Sequence, residues 1–149
     1  MKTHFFAIIA VLFLFLVSCS KKSDQEITWE HNIDIAVEKS QKKPVMIDFM
    51  AEWCPPCQEM EKTTFNNSKI IKKADKFVTV RIDVDKQETV AQKYNGNASK
   101  YGGVGIPNIL FLNSDGKKLR HIIGYRNAEQ LAAVMDSVLT GKYKPSSIE

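Results

Sequence analysis

Cys54 and Cys57 stand two residues apart, with Pro55 and Pro56 between them. Two thiols at this spacing can close into a disulfide ring and reopen, which is redox chemistry. An apolar run of strand length, Val45 to Met50, precedes the pair, and a helical pattern through Glu59, Met60 and Lys62 follows it. Proline suits a first helical turn, where its missing N–H has no partner to lose. At such a helix start the first cysteine meets free N–H groups and partial positive charge, which favour the nucleophilic thiolate. This makes Cys54 the expected exposed nucleophile and Cys57 the shielded thiol that resolves a mixed disulfide. Two other readings stay open. A zinc half-site would need further ligands, but no second C-x-x-C exists and His31 and His121 are isolated. A purely structural disulfide is the other; the position directly after an apolar strand favours the redox reading.

The elements that must position this pair form one α/β unit. Trp29 to Gln41 has helical spacing through Ile33, Ala36, Val37 and Ser40 and is stopped by Pro44. Val45–Met50 reads as a strand whose one charge is Asp48. Asn67-Ser68 caps a helix carrying Ile70 and Ile71. Phe77 to Val84 reads as a second strand, Gln87 to Gly103 as a helical turn plus a loop, and Asn108 to Leu112 as a third strand. Asn113-Ser114-Asp115-Gly116 signals a hairpin, returning as a strand over Lys118 to Gly124. Asn127 caps the last helix with Gln130 as capping-box partner. Leu131, Val134, Met135, Val138 and Leu139 form its apolar stripe, and Gly141 ends it. A βαβ half joined to a ββα half in one mixed sheet flanked by helices is the expected thioredoxin fold, an α/β class.

The chain has 149 residues with a net charge of +4, 44% hydrophobic and 26% charged. This fits one globular domain and excludes disorder and disulfide-scaffold miniproteins. The small, scattered positive surplus argues against a nucleic-acid partner. A short basic start leads into an uncharged, almost wholly apolar run from Phe5 to Val17. That is shorter than the roughly 20 residues of a membrane span and suits a secretory signal. Its end, Leu16-Val17-Ser18-Cys19, resembles the bacterial lipobox, which implies lipidation of Cys19. The expected organisation is a signal peptide over 1–18, a lipidated cysteine and tether over 19–28, the domain over 29–141 and a tail over 142–149. The chain is then exported and anchored by lipid to a bacterial membrane, facing the periplasm or cell exterior, where disulfides persist.

Asp48-Phe49-Met50-Ala51-Glu52-Trp53-Cys54-Pro55-Pro56-Cys57 resembles the thioredoxin active-site segment, and Lys100-Tyr101-Gly102-Gly103-Val104-Gly105-Ile106-Pro107 its cis-proline segment. A closer likeness is to the C-terminal periplasmic domain of DsbD-type disulfide reductases, carried by Gln58 to Phe65, Ile106 to Phe111 and Gly124-Tyr125. It covers Trp29 to Leu139. The resemblance implies that Cys54 attacks, that Cys57 resolves and that Asp48 exchanges a proton with Cys57. It also implies that Pro107 is cis and that Ile106 offers backbone groups to an extended substrate, with Trp53, Pro55 and Pro56 flanking the substrate site. Arg81 stands where thioredoxin carries a lysine beside the buried acid, which leaves the charge pairing of Asp48 open. Gln87 to Ser99 is longer than its thioredoxin counterpart.

The activity implied is that of a thiol–disulfide oxidoreductase acting on protein disulfides as a monomer, with no cofactor and no metal, and recharged by a membrane or periplasmic dithiol. A cytochrome c maturation reductase, a disulfide isomerase or oxidase, and a redox-inert binding module are the alternatives. Reduction is favoured over oxidation because neither Pro55 nor Pro56 can donate an N–H to the Cys54 sulfur, and because Glu52 is expected to add negative charge nearby. Both features place the potential nearer thioredoxin's roughly −270 mV than the ~−120 mV of a strong oxidant.

Overall fold

The computed structural model describes residues 26–142. The signal peptide expected over 1–18, most of the tether and most of the tail lie outside the described residues.

Four strands form one mixed sheet in the order β2-β1-β3-β4, from β1 (Val45–Met50), β2 (Val78–Asp83), β3 (Asn108–Leu112) and β4 (Lys118–Ile123). β1 runs parallel to β2 and antiparallel to β3, and β4 returns antiparallel to β3. This is the mixed sheet of a thioredoxin fold. The helices are α1 (Ile33–Lys39), α2 (Pro55–Met60), α3 (Ser68–Ala74), α4 (Glu88–Lys93) and α5 (Ala128–Leu139). α2 widens into a π-helical stretch over Glu61–Phe65.

β1 and β3 sit between two helical layers, so their side chains are buried on both faces, which explains their uninterrupted apolar runs. Val45, Ile47 and Phe49 point into one cluster with Ile33 and Ala36 of α1 and Ala91 of α4. Met46 points into the other with Ile70 of α3 and Leu131, Met135 and Val138 of α5. The expected α5 stripe is therefore core, and the Asn127–Gln130 capping box is present. Gly141, at φ 66°, ends α5: its N–H and that of Lys142 bond back to the Val138 and Ser137 carbonyls.

The helix expected from Trp29 starts later, at Ile33. Asn32 caps it by accepting from the Ile35 N–H. Trp29 and Glu30 are extended instead, and Glu30 pairs in parallel with Val80 on the edge strand β2. Its N–H donates to the Thr79 carbonyl at 2.8 Å, and its carbonyl accepts from the Arg81 N–H at 2.8 Å. The sheet edge thus outcompetes the local helical pattern. Domain contacts reach further back, since the Thr28 carbonyl accepts from the Thr79 hydroxyl at 2.5 Å.

Gly96, after α4, lies under Phe49: a Cβ there would come within 2.4 Å of the fully buried ring. Gly96→Ala therefore overpacks the core beside the site. The expected cost is about 1–3 kcal/mol, read as a lower denaturation midpoint with unchanged m-value. An unshifted midpoint would show that the ring moves aside freely.

Candidate active site

β1 delivers the chain to a tight turn, in which the Cys54 N–H donates to the Ala51 carbonyl at 3.1 Å. Cys54 is the N-cap of α2, with Pro55 and Pro56 in the first turn, and it is bonded to Cys57 as a disulfide. Because both prolines lack an N–H, the first α2 amide able to reach the sulfur is that of Cys57. It donates to Cys54 Sγ at 3.3 Å. The expected contrast in exposure between the cysteines is absent: Cys54 is 2% and Cys57 5% exposed. Both belong to the cluster of Phe49, Ala51 and Ala98, against which Ile106 packs. In the oxidised pair, what distinguishes the sulfurs is the N-cap position of Cys54.

Asp48 lies next to Arg81 in the β1–β2 register. Arg81 Nε donates to Asp48 Oδ2 at 3.0 Å, and its Nη2 reaches Glu61 Oε2 at 2.5 Å. The guanidinium also covers the Trp29 ring, 4.2 Å from its centroid. So the charge pairing left open for Arg81 is made, and the extended Trp29 helps hold it. Even so, burial pushes the Asp48 carboxyl up to about 6; the Arg81 charge and hydrogen bond pull it down, and Glu61 adds a smaller upward push. Asp48 and Cys57 line one cleft of about 310 Å³, open toward Glu61, Lys62 and Gln58.

Trp53, directly before Cys54, is 47% exposed and so is not part of the core. Its indole N–H donates to Asp85 Oδ2 at 2.5 Å, and the Tyr101 hydroxyl donates to Asp85 Oδ1 at 2.5 Å. These two bonds, the tyrosine's first, hold the Asp85 carboxyl below the usual carboxylate range. The Lys100 ammonium sits over the Trp53 ring, 3.8 Å from its centroid. Asp85 was not singled out from the sequence; with Lys100 and Tyr101, which open the cis-proline segment, it binds the loop after α4 to the cysteine turn. Glu52, expected to add negative charge beside Cys54, instead pairs with Lys86 at 2.6 Å.

The Ile106–Pro107 bond is cis, as the resemblance implied. Pro107 directly precedes Asn108, which is opposite Phe49 in the register, so it sits at the sheet end where β1 leads to the cysteines. Among the described residues, neither backbone group of Ile106 makes a hydrogen bond. The loop before Pro107 is fixed by Asn108, whose amide donates to the Gly96 and Gly105 carbonyls at 2.9 and 2.7 Å. Asn108 Oδ1 lies 2.7 Å from His121 Nε2. Burial, with Lys118 adding to it, lowers the His121 pKa to about 4. The imidazole is thus neutral at pH 7, and its Nε2–H donates to the asparagine. His121 is a core residue that braces the cis-proline loop.

Residues 31–139 match the thioredoxin-like domain family. The chain belongs to that family. It is 31% identical over 104 residues to the thiol:disulfide interchange protein DsbD of Pectobacterium atrosepticum, covering 68% of this chain and 17% of that protein. The chain therefore spans only a small part of the curated relatives it matches. The DsbD C-terminal domain of Neisseria meningitidis, in its oxidised form, superposes with a TM-score of 0.56 at 28% identity, over 70% of this chain and 87% of that one. A thioredoxin from Halobacterium salinarum, 22% identical, superposes with a TM-score of 0.56 over 77% of this chain and 91% of its own, a likeness of fold. Thiol–disulfide oxidoreductases are thus the relatives of this thioredoxin-like chain.

Proposed function

We propose that the chain is a lipid-anchored, extracytoplasmic thiol–disulfide oxidoreductase that reduces protein disulfides through Cys54 and Cys57. The observation that carries this is the Cys54–Cys57 disulfide at the cap of α2, with Cys57 and the buried Asp48 lining a common cleft. In the reduced enzyme the Cys54 thiolate attacks one sulfur of the substrate disulfide. That bond breaks, a mixed disulfide forms on Cys54, and the first substrate sulfur leaves as thiolate. Cys57 then gives its proton to Asp48 and attacks Cys54 Sγ, releasing the second substrate thiolate. The substrate gains two electrons, and the enzyme is left with the Cys54–Cys57 disulfide, which a membrane or periplasmic dithiol must reduce again. An extended substrate segment would pair with the free backbone groups of Ile106 beside cis-Pro107, flanked by Trp53, Pro55 and Pro56. Turbidimetric insulin reduction with a dithiol donor tests the activity: the chain should accelerate it and Cys54→Ser should not, while equal rates would reject the reading.

Lipid modification of Cys19 provides the anchor. Each buried methylene contributes about 0.8 kcal/mol, so several acyl chains hold a protein firmly. Cys19→Ala should move the protein from the membrane to the soluble fraction. A variant that stays in the membrane pellet would defeat the anchor.

A further inference from the structure

The end of the sheet opposite the disulfide is basic. β1 begins there after Lys42 and Lys43, and β2 begins there after Lys76. The β3–β4 turn closes there with Lys117 and Lys118, and Lys142 follows the end of α5 there. All six lysines are exposed. Among the described residues none of them pairs with a carboxylate. The Lys43 ammonium donates to the Asp75 backbone carbonyl. Asp75 and Asp115 are the exposed carboxylates on the same turns, and Asp115 is bonded to Asn113. At the disulfide end, Lys86 is tied to Glu52 and Asp83 and Lys100 lies near Asp85, leaving Lys62 at the Cys57 cleft as an exposed lysine without a carboxylate partner among the described residues.

The N-terminal segment leaves the domain at this same basic end. Glu30 runs parallel to β2, so the residues before it lead back toward the start of that strand. Glu26 and Ile27 line a cleft of about 360 Å³ with Lys43, Asp75 and Phe77. The sequence that carries Cys19, Lys21 and Lys22 therefore enters the described domain, at Glu26, on the lysine-rich pole.

We propose that this basic pole docks on an anionic phospholipid surface and holds the domain with its disulfide facing away from the bilayer. The proposal rests on the lipid-anchor reading of Cys19. A lysine close to an anionic leaflet strengthens contact roughly five-fold, an effect confined to about 10 Å at moderate salt. A tether supplies the effective concentration that lets so weak an attraction set orientation. The redox end is then free to meet soluble protein disulfides.

The test places the full chain on phosphatidylcholine vesicles with or without phosphatidylglycerol and acetylates it with an amine reagent that does not cross bilayers. On phosphatidylglycerol vesicles at low salt, acetylation of Lys42, Lys76, Lys117 and Lys118 should fall about threefold or more. Lys86 and Lys100 should react equally on both. The protection should vanish near 1 M salt, where screening shortens to about 3 Å. The triple variant K42E/K76E/K117E should lose the protection at Lys118 and Lys142 while keeping insulin reduction. Equal acetylation of the basic pole on both vesicle types would overturn the proposal, as would protection that persists at high salt. Failure to stay on phosphatidylcholine alone would count against the Cys19 anchor, while protection on phosphatidylglycerol vesicles still reports the docking.

Discussion

Replacing Cys54 with serine lowers disulfide reduction by about a thousandfold or more, the scale expected when a covalent nucleophile is lost. The expectation follows from the cap of α2, where Cys54 Sγ accepts the Cys57 N–H and faces the positive end of the helix. A thiolate gains from both, and a serine hydroxyl does not ionise near neutral pH. Cys57→Ser behaves differently. It keeps the attacking sulfur and removes the one that completes the exchange, so mixed disulfides with substrate accumulate. Non-reducing electrophoresis and mass spectrometry after exposure to an oxidised protein read the two apart. Adducts should appear with Cys57→Ser and not with Cys54→Ser. Equal trapping by both variants would remove the assignment, and adducts on Cys54→Ser alone would reverse it.

Asp48→Asn should stabilise the oxidised protein at pH 7 and slow its reduction. Burial pushes the carboxyl up to about 6 in the fold, against an ordinary value of 3.8. A raised carboxyl pKa means that the folded state binds more protons between those values, so wild-type stability falls as pH rises through that window. The cost is absent below about pH 4 and fully present above about pH 6. A difference of about two units corresponds to about 3 kcal/mol, the upper bound for the gain from the neutral isostere at neutral pH. Denaturant melts of both proteins from pH 4 to 8 should converge at the acid end and separate toward neutrality. Activity should move the opposite way. When a donor dithiol attacks the disulfide, protonated Asp48 can hand its proton to the departing Cys57 sulfur. Single-turnover reduction by wild type should exceed that of the variant by about a hundredfold below pH 6, and the ratio should shrink as pH rises through 6. A ratio that is flat with pH would leave Asp48 a structural ion-pair partner and no more.

Much of this was legible in the sequence where local rules decide. The bounds of β1 and β3 follow from apolar runs with Pro44 before one and Pro107 before the other. The caps at Asn67 and Asn127 follow from side-chain chemistry that needs only the next three residues. What the sequence did not disclose depends on partners far along the chain. Trp29 and Glu30 fit a helical pattern, yet they are extended because β2, some fifty residues on, offers free backbone groups. Asp85 looks like any acid after a strand until the fold brings Trp53 and Tyr101 to its two oxygens. Glu52 was read by its distance in sequence from Cys54, while Lys86 claims its charge in space. Asn108 did carry a signal: a polar residue opening the run Asn108–Leu112, fully buried on both faces, must have partners inside. Its partners Gly96, Gly105 and His121 lie on other segments, which the sequence alone does not join to it.

The central claim, that this dithiol works as a reductant, is tested most directly by its equilibrium potential. Cys54 receives one backbone hydrogen bond from α2, from Cys57, and the two prolines supply none. Thiolate stabilisation from the helix is therefore limited, and Lys86 and Arg81 are occupied by carboxylates, while Lys62 lines the Cys57 cleft. Limited stabilisation of the reduced form means a low potential. Equilibration of the purified chain in graded dithiothreitol buffers, with the thiols alkylated and counted, should give a midpoint near the roughly −270 mV of thioredoxin. A midpoint above about −180 mV, the level of disulfide isomerase, would contradict the account and make the chain an oxidase or isomerase.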